Sequence, residues 1–281
     1  MRKFKDFLTI IRPINSLMIG FAVIVGEVLA LNSLPNLNLM ILGFLTGFLI
    51  SSSSMVFNDY FDLEVDRVNV PNRPLPSGRI PVRLAVIFGF SLGFIGCLIA
   101  GLIGSLPFLI AVLFWFVAII YDWIGKKLGL IGNAMVSISV AIPYVFGGIA
   151  AGKITLTIII LSLISFLANM AREVVKGLID VEGDRVKGYR TLALTRDEET
   201  VILTALAFIV TAITLSFTPY VLGEMELNYL SLISIADLIM VYAVIKMLLA
   251  STKNEFRSVK QLILVGMLLG LISFFIGGLT R

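Results

Sequence analysis

Two acidic stretches hold the residues best placed to do chemistry. The first is "NDYFDLEVDRVNVPNRPLPSGR", running from Asn58 to Arg79. On a helix, at about 100° per residue, Asn58, Asp62 and Asp66 at i, i+4 and i+8 spread over about 80° of one face. Asp59 sits beside that stripe and Glu64 points away from it. Oxygen-bearing side chains so arranged repel one another unless they share a cation. Hard oxygen donors without His or Cys suit Mg²⁺, which takes one or two carboxylates together with substrate phosphates. The second stretch is "NMAREVVKGLIDVEGDR", from Asn169 to Arg185. There Asn169, Glu173, Asp180 and Asp184 fall within about 60° of one helical face, and Lys176 and Lys187 share the stripe. Taken singly, each stretch reads equally well as a solvated charged loop with local pairs such as Lys176–Asp180.

Smaller features accompany them. "YDWIGKK" (Tyr121 to Lys127) offers Lys126 and Lys127 to phosphate oxygens and Tyr121 to a developing cation, or else an interfacial aromatic pair with snorkelling lysines. Arg12, Pro13 and Asn15 open the first greasy run. Glu27 lies near the outer end of that run, within reach of an interface, whereas Asp237 lies mid-run and is expected to face protein and a polar neighbour. Prolines at 71, 74, 76 and 81 stop the helix after Asp66. The sequence has no histidine and a single cysteine, Cys97. His-ligated metals, His-dependent acid–base catalysis and an intrachain disulfide are therefore excluded.

The elements that must position these groups are membrane helices. The chain is 58% hydrophobic and 14% charged over 281 residues, with a mean hydropathy of +1.03. Nine runs are long enough to cross a ~30 Å hydrocarbon core: 14–31, 38–57, 82–102, 106–121, 131–151, 154–175, 199–218, 228–249 and 259–279. The fold class expected is an all-α integral membrane bundle, one domain over 1–281, its first run being a span and not a cleaved signal. Of the 22 Lys and Arg residues, only Lys153 and Arg281 lie away from the N-terminal tail, the connections after runs 2, 4, 6 and 8, and the run ends bordering those connections, which carry Arg83, Arg172, Lys246 and Lys260. The positive-inside rule then places the N-terminus and both acidic stretches on the cytoplasmic side. The second acidic stretch follows run 6, four runs after the first, which fits two four-helix halves plus an extra helix. Two Asp-x-x-x-Asp segments on one membrane side, with Arg and Lys nearby, form a clamp for a Mg²⁺-diphosphate.

These motifs carry a family resemblance. "NDYFDLEVDRVNVPNRPLPSG" resembles the first aspartate-rich motif of the UbiA superfamily of intramembrane prenyltransferases, and "DVEGD" followed by "RVKGYRTLA" resembles the second. "RPIN" near the start and "YDWIGKK" look like further family features, and the likeness extends over nearly the whole chain. It implies a nine-helix bundle around a central cavity, and two Mg²⁺ ions carrying an isoprenyl diphosphate, with Asn58, Asp62, Asp66, Asp180 and Asp184 around the metals. By the same resemblance Arg67, Arg73, Lys126, Lys127 and Lys176 become diphosphate contacts, with Tyr121 beside the allylic cation. Within the superfamily the motifs look most like the archaeal enzymes that move a geranylgeranyl group from its diphosphate to the hydroxyl of geranylgeranylglyceryl phosphate. A phosphate-bearing, lipid-like acceptor needs cations of its own, and Arg12, Arg172 and Lys187 are the candidates, with Asn15, Asn169 and Glu173 also lining the substrate. Asp122 departs from the Tyr-Ser that many members carry. Two other functions compete: prenylation of an aromatic ring in quinone or chlorophyll-type biosynthesis, and ion-coupled transport, which the clustering of acids at one end of the spans disfavours. No protein or nucleic-acid partner is implied.

Overall fold

Local chemistry sets where each apolar run becomes a helix. Pro13 stands at the first position of α2 (Pro13–Leu31), where its missing N–H costs nothing. The Asn36 side chain accepts from Leu39 N at 2.9 Å and opens α3 (Leu37–Phe61). After the short α4 (Leu63–Asn69) come α5 (Val82–Ile103), α6 (Ser105–Ile124), α7 (Leu130–Ala150) and α8 (Leu156–Val186). Beyond the one-turn α9 (Leu192–Thr195), Asp197 caps α10 (Glu198–Ser216) by accepting from Thr200 N. The one-turn α11 (Thr218–Val221) leads to α12 (Leu227–Leu248), and a capping box between Thr252 and Glu255 opens α13 (Lys253–Leu279). A short α1 (Arg2–Ile10) precedes them all.

The structure, a computed structural model, describes residues 2–186 and 188–281; Met1, Lys187 and the side chains of Arg2, Lys3, Val65, Val68, Asn69, Ile124, Lys126, Lys127 and Val186 lie outside the described residues. Among the described residues nine helices are long and apolar enough to cross a membrane, in the order expected, and the fold is all-α. Each long helix packs on the next, α2 on α3, α3 on α5 and so on to α13, which closes the ring on α2; α2 also crosses α7, and α13 crosses α8.

Small residues allow the tightest crossing. A methyl group on Gly26 would strike the Tyr144 carbonyl, and one on Gly147 would strike the Val23 carbonyl, so α2 and α7 meet backbone to backbone. Polar groups within the bundle find partners: Trp115 Nε1 donates to Ser53 Oγ (2.8 Å), which donates to the Gly89 carbonyl (2.7 Å). Asp237 faces the interior and accepts from Ser216 Oγ at 2.7 Å.

Three findings depart from the sequence reading. Run 6 does not end at 175: α8 continues unbroken to Val186, carrying the second acidic stretch on one rigid helix. The ninth helix starts at Lys253 because the capping box nucleates it before the apolar run begins. Glu27 does not reach an interface; it is fully buried against Gly43, with both carboxyl oxygens lacking a hydrogen-bond partner. The basic N-terminal tail also proves to be the amphipathic helix α1, too short to span, which rests Phe7 against Phe88 with ring centroids 4.9 Å apart.

Candidate active site at the charged end of the bundle

The first acidic stretch is bent, not straight. α3 ends at Phe61, and Asp62 adopts φ −89° and ψ 2° before α4 resumes. The backbone ladder survives the bend, since Asp62 N bonds the Asn58 carbonyl at 3.0 Å and Asp66 N bonds the Asp62 carbonyl at 2.8 Å. The bend interrupts the regular helix at Asp62, between Asn58 and Asp66. Asp59, beside the expected stripe, is buried and receives Arg12 Nη2 at 2.6 Å. Asn58 accepts from the same guanidinium at 3.2 Å and donates to Asp122 at 2.8 Å. Asp66 receives Arg73 Nη1 at 2.7 Å. Burial pushes the Asp66 carboxyl up from its ordinary range, and the Arg73 charge and hydrogen bond pull it back.

The proline-rich segment makes the Arg73 contact possible. α4 stops at Asn69, and residues 70–81 turn back through bonds such as Arg73 N to the Val70 carbonyl (3.0 Å) and Ser77 N to the Arg73 carbonyl (3.0 Å). Leu75 and Ile80 are buried there with Ile10 and Ile11, and Arg79 Nε pairs with Asp6 of α1 at 2.9 Å. The segment is therefore an anchored cover over the end of α3. Arg67 is exposed on α4, and Asn15 is half-buried in the first turn of α2.

The second acidic stretch lies along α8. Asn169 is buried and donates to Ser137 Oγ of α7 at 3.1 Å. Glu173, also buried, accepts from Arg172 Nη1 and Lys176 Nζ, both at 3.1 Å. Lys176 thus pairs three residues back, with Glu173, where the sequence reading had offered Asp180. Asp180 and Asp184 are half-buried further along the helix. Lys187 and the side chains of Lys126 and Lys127 lie outside the described residues.

Two tyrosines lie near charges of both stretches. Tyr121 of α6 feels the charges of Glu173, Asp122 and Asp62. Tyr189, just past α8, feels those of Asp62 and Asp184, and burial together with these carboxylates pushes its phenol up to about 12. α4 also touches α8 directly. The structure thus brings Asp62 and Asp184 to one place. Sequence reasoning passed over Asp59, Asp122 and Tyr189 as participants. Their signal was present, in the polar residue next to Asn58 and in the "GYR" that follows α8.

The donor set fits a hard divalent cation in kind: half-buried carboxylates from two helices, with neither nitrogen nor sulfur ligands. It is not a preassembled cage, because among the described residues no three acidic side chains already converge as a metal-binding group. Cations hold Asp59 and Asp66, and Asp62, Asp180 and Asp184 add further carboxylates at this end of the bundle.

Comparison with known proteins identifies the family. The model of the UbiA prenyltransferase family matches residues 19–265. The digeranylgeranylglyceryl phosphate synthase of Thermococcus sibiricus is 36% identical over 277 residues, covering 99% of this chain and 98% of its own length. A solved structure described as that of digeranylgeranylglyceryl phosphate synthase in membranes superposes with a TM-score of 0.79 at 31% identity, covering 100% of both chains. A UbiA homologue from Archaeoglobus fulgidus, solved with GPP and Mg²⁺, shares the fold with a TM-score of 0.66 at 19% identity, over 96% of this chain and 99% of its own. With nine apolar helices, two acidic stretches meeting at one end and a family match over most of its length, the chain is a multi-pass membrane protein of the UbiA prenyltransferase family.

Proposed function

We propose that the protein transfers a geranylgeranyl group from geranylgeranyl diphosphate to the hydroxyl of geranylgeranylglyceryl phosphate, the ether-forming step of an archaeal membrane lipid. One observation carries the choice of acceptor: the full-length identity to synthases named for this product. The chemistry is supported by the meeting of Asp62 and Asp184 around Tyr189, with Tyr121 between Asp62 and Glu173.

Asp62, Asp180 and Asp184 would hold Mg²⁺, with Asn58 and Asp66 at the edge of the site. When bound, the metal supplies Lewis-acid stabilisation of the charge on the departing diphosphate. Lys126, Lys127, Arg67 and Arg73 would face the same oxygens. The C1–O bond of the donor breaks with its electron pair leaving on the diphosphate, and the acceptor oxygen bonds to C1 and releases its proton. The Tyr121 ring would stand beside the allylic cation, where its electron-rich face favours positive charge. The apolar bundle behind it keeps out water, which would otherwise capture the cation. The distribution of Lys and Arg supports a cytoplasmic position for this end of the bundle.

The test is incubation of purified protein with labelled geranylgeranyl diphosphate, Mg²⁺ and one of two acceptors. Geranylgeranylglyceryl phosphate should be consumed and 4-hydroxybenzoate ignored. Prenylation of the benzoate alone would overturn the acceptor and leave the transferase reading standing.

A further inference from the structure

α8 and α13 bring together three cations with fewer anions than cations beside them among the described residues. Arg172 and Lys176 stand on α8 and share one carboxylate, Glu173, each at 3.1 Å. Lys260 enters from α13. Its neighbours Val259 and Ile263 are buried in one cluster with Ala171 and Val175 of α8, which fixes the two helices side by side at this level. The strongest charged neighbours of Lys260 are Arg172 and Lys176, ahead of Asp180 and Glu173. The Arg172 Nε is buried and has no acceptor.

Such an arrangement calls for an anion. Like charges crowded into a half-buried site repel, and a guanidinium N–H left unmade inside a protein is costly. Glu173 and Asp180 are the two carboxylates near these three cations, and Asp180 also belongs to the second aspartate pair. Arg12, offered by the sequence for a second phosphate, is committed to Asp59 and Asn58.

We propose that Arg172, Lys176 and Lys260 form a phosphomonoester site that receives the phosphate of the lipid acceptor, bordering the place of the donor diphosphate on the Asp180 side. The inference rests on the acceptor reading above and deepens it. A metal-bound diphosphate brings its own counter-charge, whereas a monoester acceptor must be neutralised by side chains. A guanidinium with a free N–H and two ammonium groups match a dianion with three oxygens. Lys176, given to the donor by family resemblance, is grouped here with the acceptor because Glu173 ties it beside Arg172. An aromatic acceptor without phosphate would have no use for this trio, so the site selects between acceptors.

The experiment measures steady-state rates with each substrate varied. Lys260→Gln should raise the KM for geranylgeranylglyceryl phosphate at least about tenfold and leave that for geranylgeranyl diphosphate within about twofold, and Lys260→Arg should recover most of the loss. In parallel, calorimetry compares wild-type binding of geranylgeranylglyceryl phosphate with that of the same lipid lacking phosphate. The phosphate should improve affinity at least about tenfold in the wild type and less than about threefold in Lys260→Gln. An unchanged acceptor KM, or equal rises in both KM values, overturns the site. Equal wild-type binding of the two lipids overturns it whatever the turnover, and it decides the matter alone should Lys260→Gln not fold. Phosphate-dependent binding without any transfer would instead overturn the proposed function and leave the site standing.

Discussion

Arg12 Nη2 lies 2.6 Å from Asp59 Oδ1 and 3.2 Å from Asn58 Oδ1, so one guanidinium ties the entry of α2 to the last turn of α3. Arg12 adopts left-handed backbone angles, φ 47° and ψ 68°, to reach them. Such a conformation costs a β-carbon-bearing residue about 1–2 kcal/mol, and the charged contact has to offset it. Asp59 is only 3% exposed. Arg12→Met should therefore destabilise the protein by about 2–3 kcal/mol, below the full cost of orphaning a buried charge because Arg73 stands 3.7 Å away. Thermal unfolding in detergent measures it. Adding Asp59→Leu should recover part of the loss, and a double variant less stable than Arg12→Met would refute the account.

Asp62→Asn and Asp180→Asn should each lower kcat about 10²-fold or more, the scale of one lost transition-state charge contact, with little change in melting temperature. Chelation with EDTA should abolish turnover of the wild type, and Mg²⁺ should restore it. Full activity in EDTA would contradict the metal assignment outright.

Tyr189 provides a pH test. Its phenol sits near 12 in the folded state against an ordinary value of 10.0, because burial and the Asp62 and Asp184 charges favour the neutral form. A raised folded value means stability that is present below pH 10 and is lost as pH climbs toward 12, where only the unfolded chain ionises readily. The melting temperature of the wild type should therefore fall relative to that of Tyr189→Phe between pH 10 and 11. Parallel curves for the two proteins would show that the phenol is not held in this way.

Close backbone contact makes Gly147 intolerant. Gly147→Val would press its side chain into the Val23 carbonyl and the Glu27 amide, a clash on the order of 3 kcal/mol or more. The variant should be recovered poorly from membranes and melt well below the wild type. Gly152→Ala, at a turn with open space around it but φ +83°, should lose about 1 kcal/mol from backbone strain alone.

Orientation is open to labelling. With Cys97 replaced, a cysteine at the exposed Ser77 should react with an impermeant maleimide only in inside-out vesicles, and one at the exposed Lys153 only in right-side-out vesicles. The reverse pattern would place the charged end outside.

By itself the sequence determined nine spans, their order and the helix-ending prolines, because length, hydropathy and punctuation are properties of contiguous residues. It also marked both acidic stretches, since helical spacing alone puts Asp62 with Asp66 and Asp180 with Asp184. Only the tertiary structure decided which carboxylates keep company with which cations. Arg12 is far in sequence from Asp59, and Arg73 reaches Asp66 only because residues 70–81 fold back over buried Leu75 and Ile80. Glu27 shows the same limit: its position suggested an interface, and packing against Gly43 buried it. Lys260 read as one more basic residue at the end of a span. It became a neighbour of Arg172 and Lys176 when α13 packed on α8, because charge pairing is set by distance in space, which local patterning does not encode.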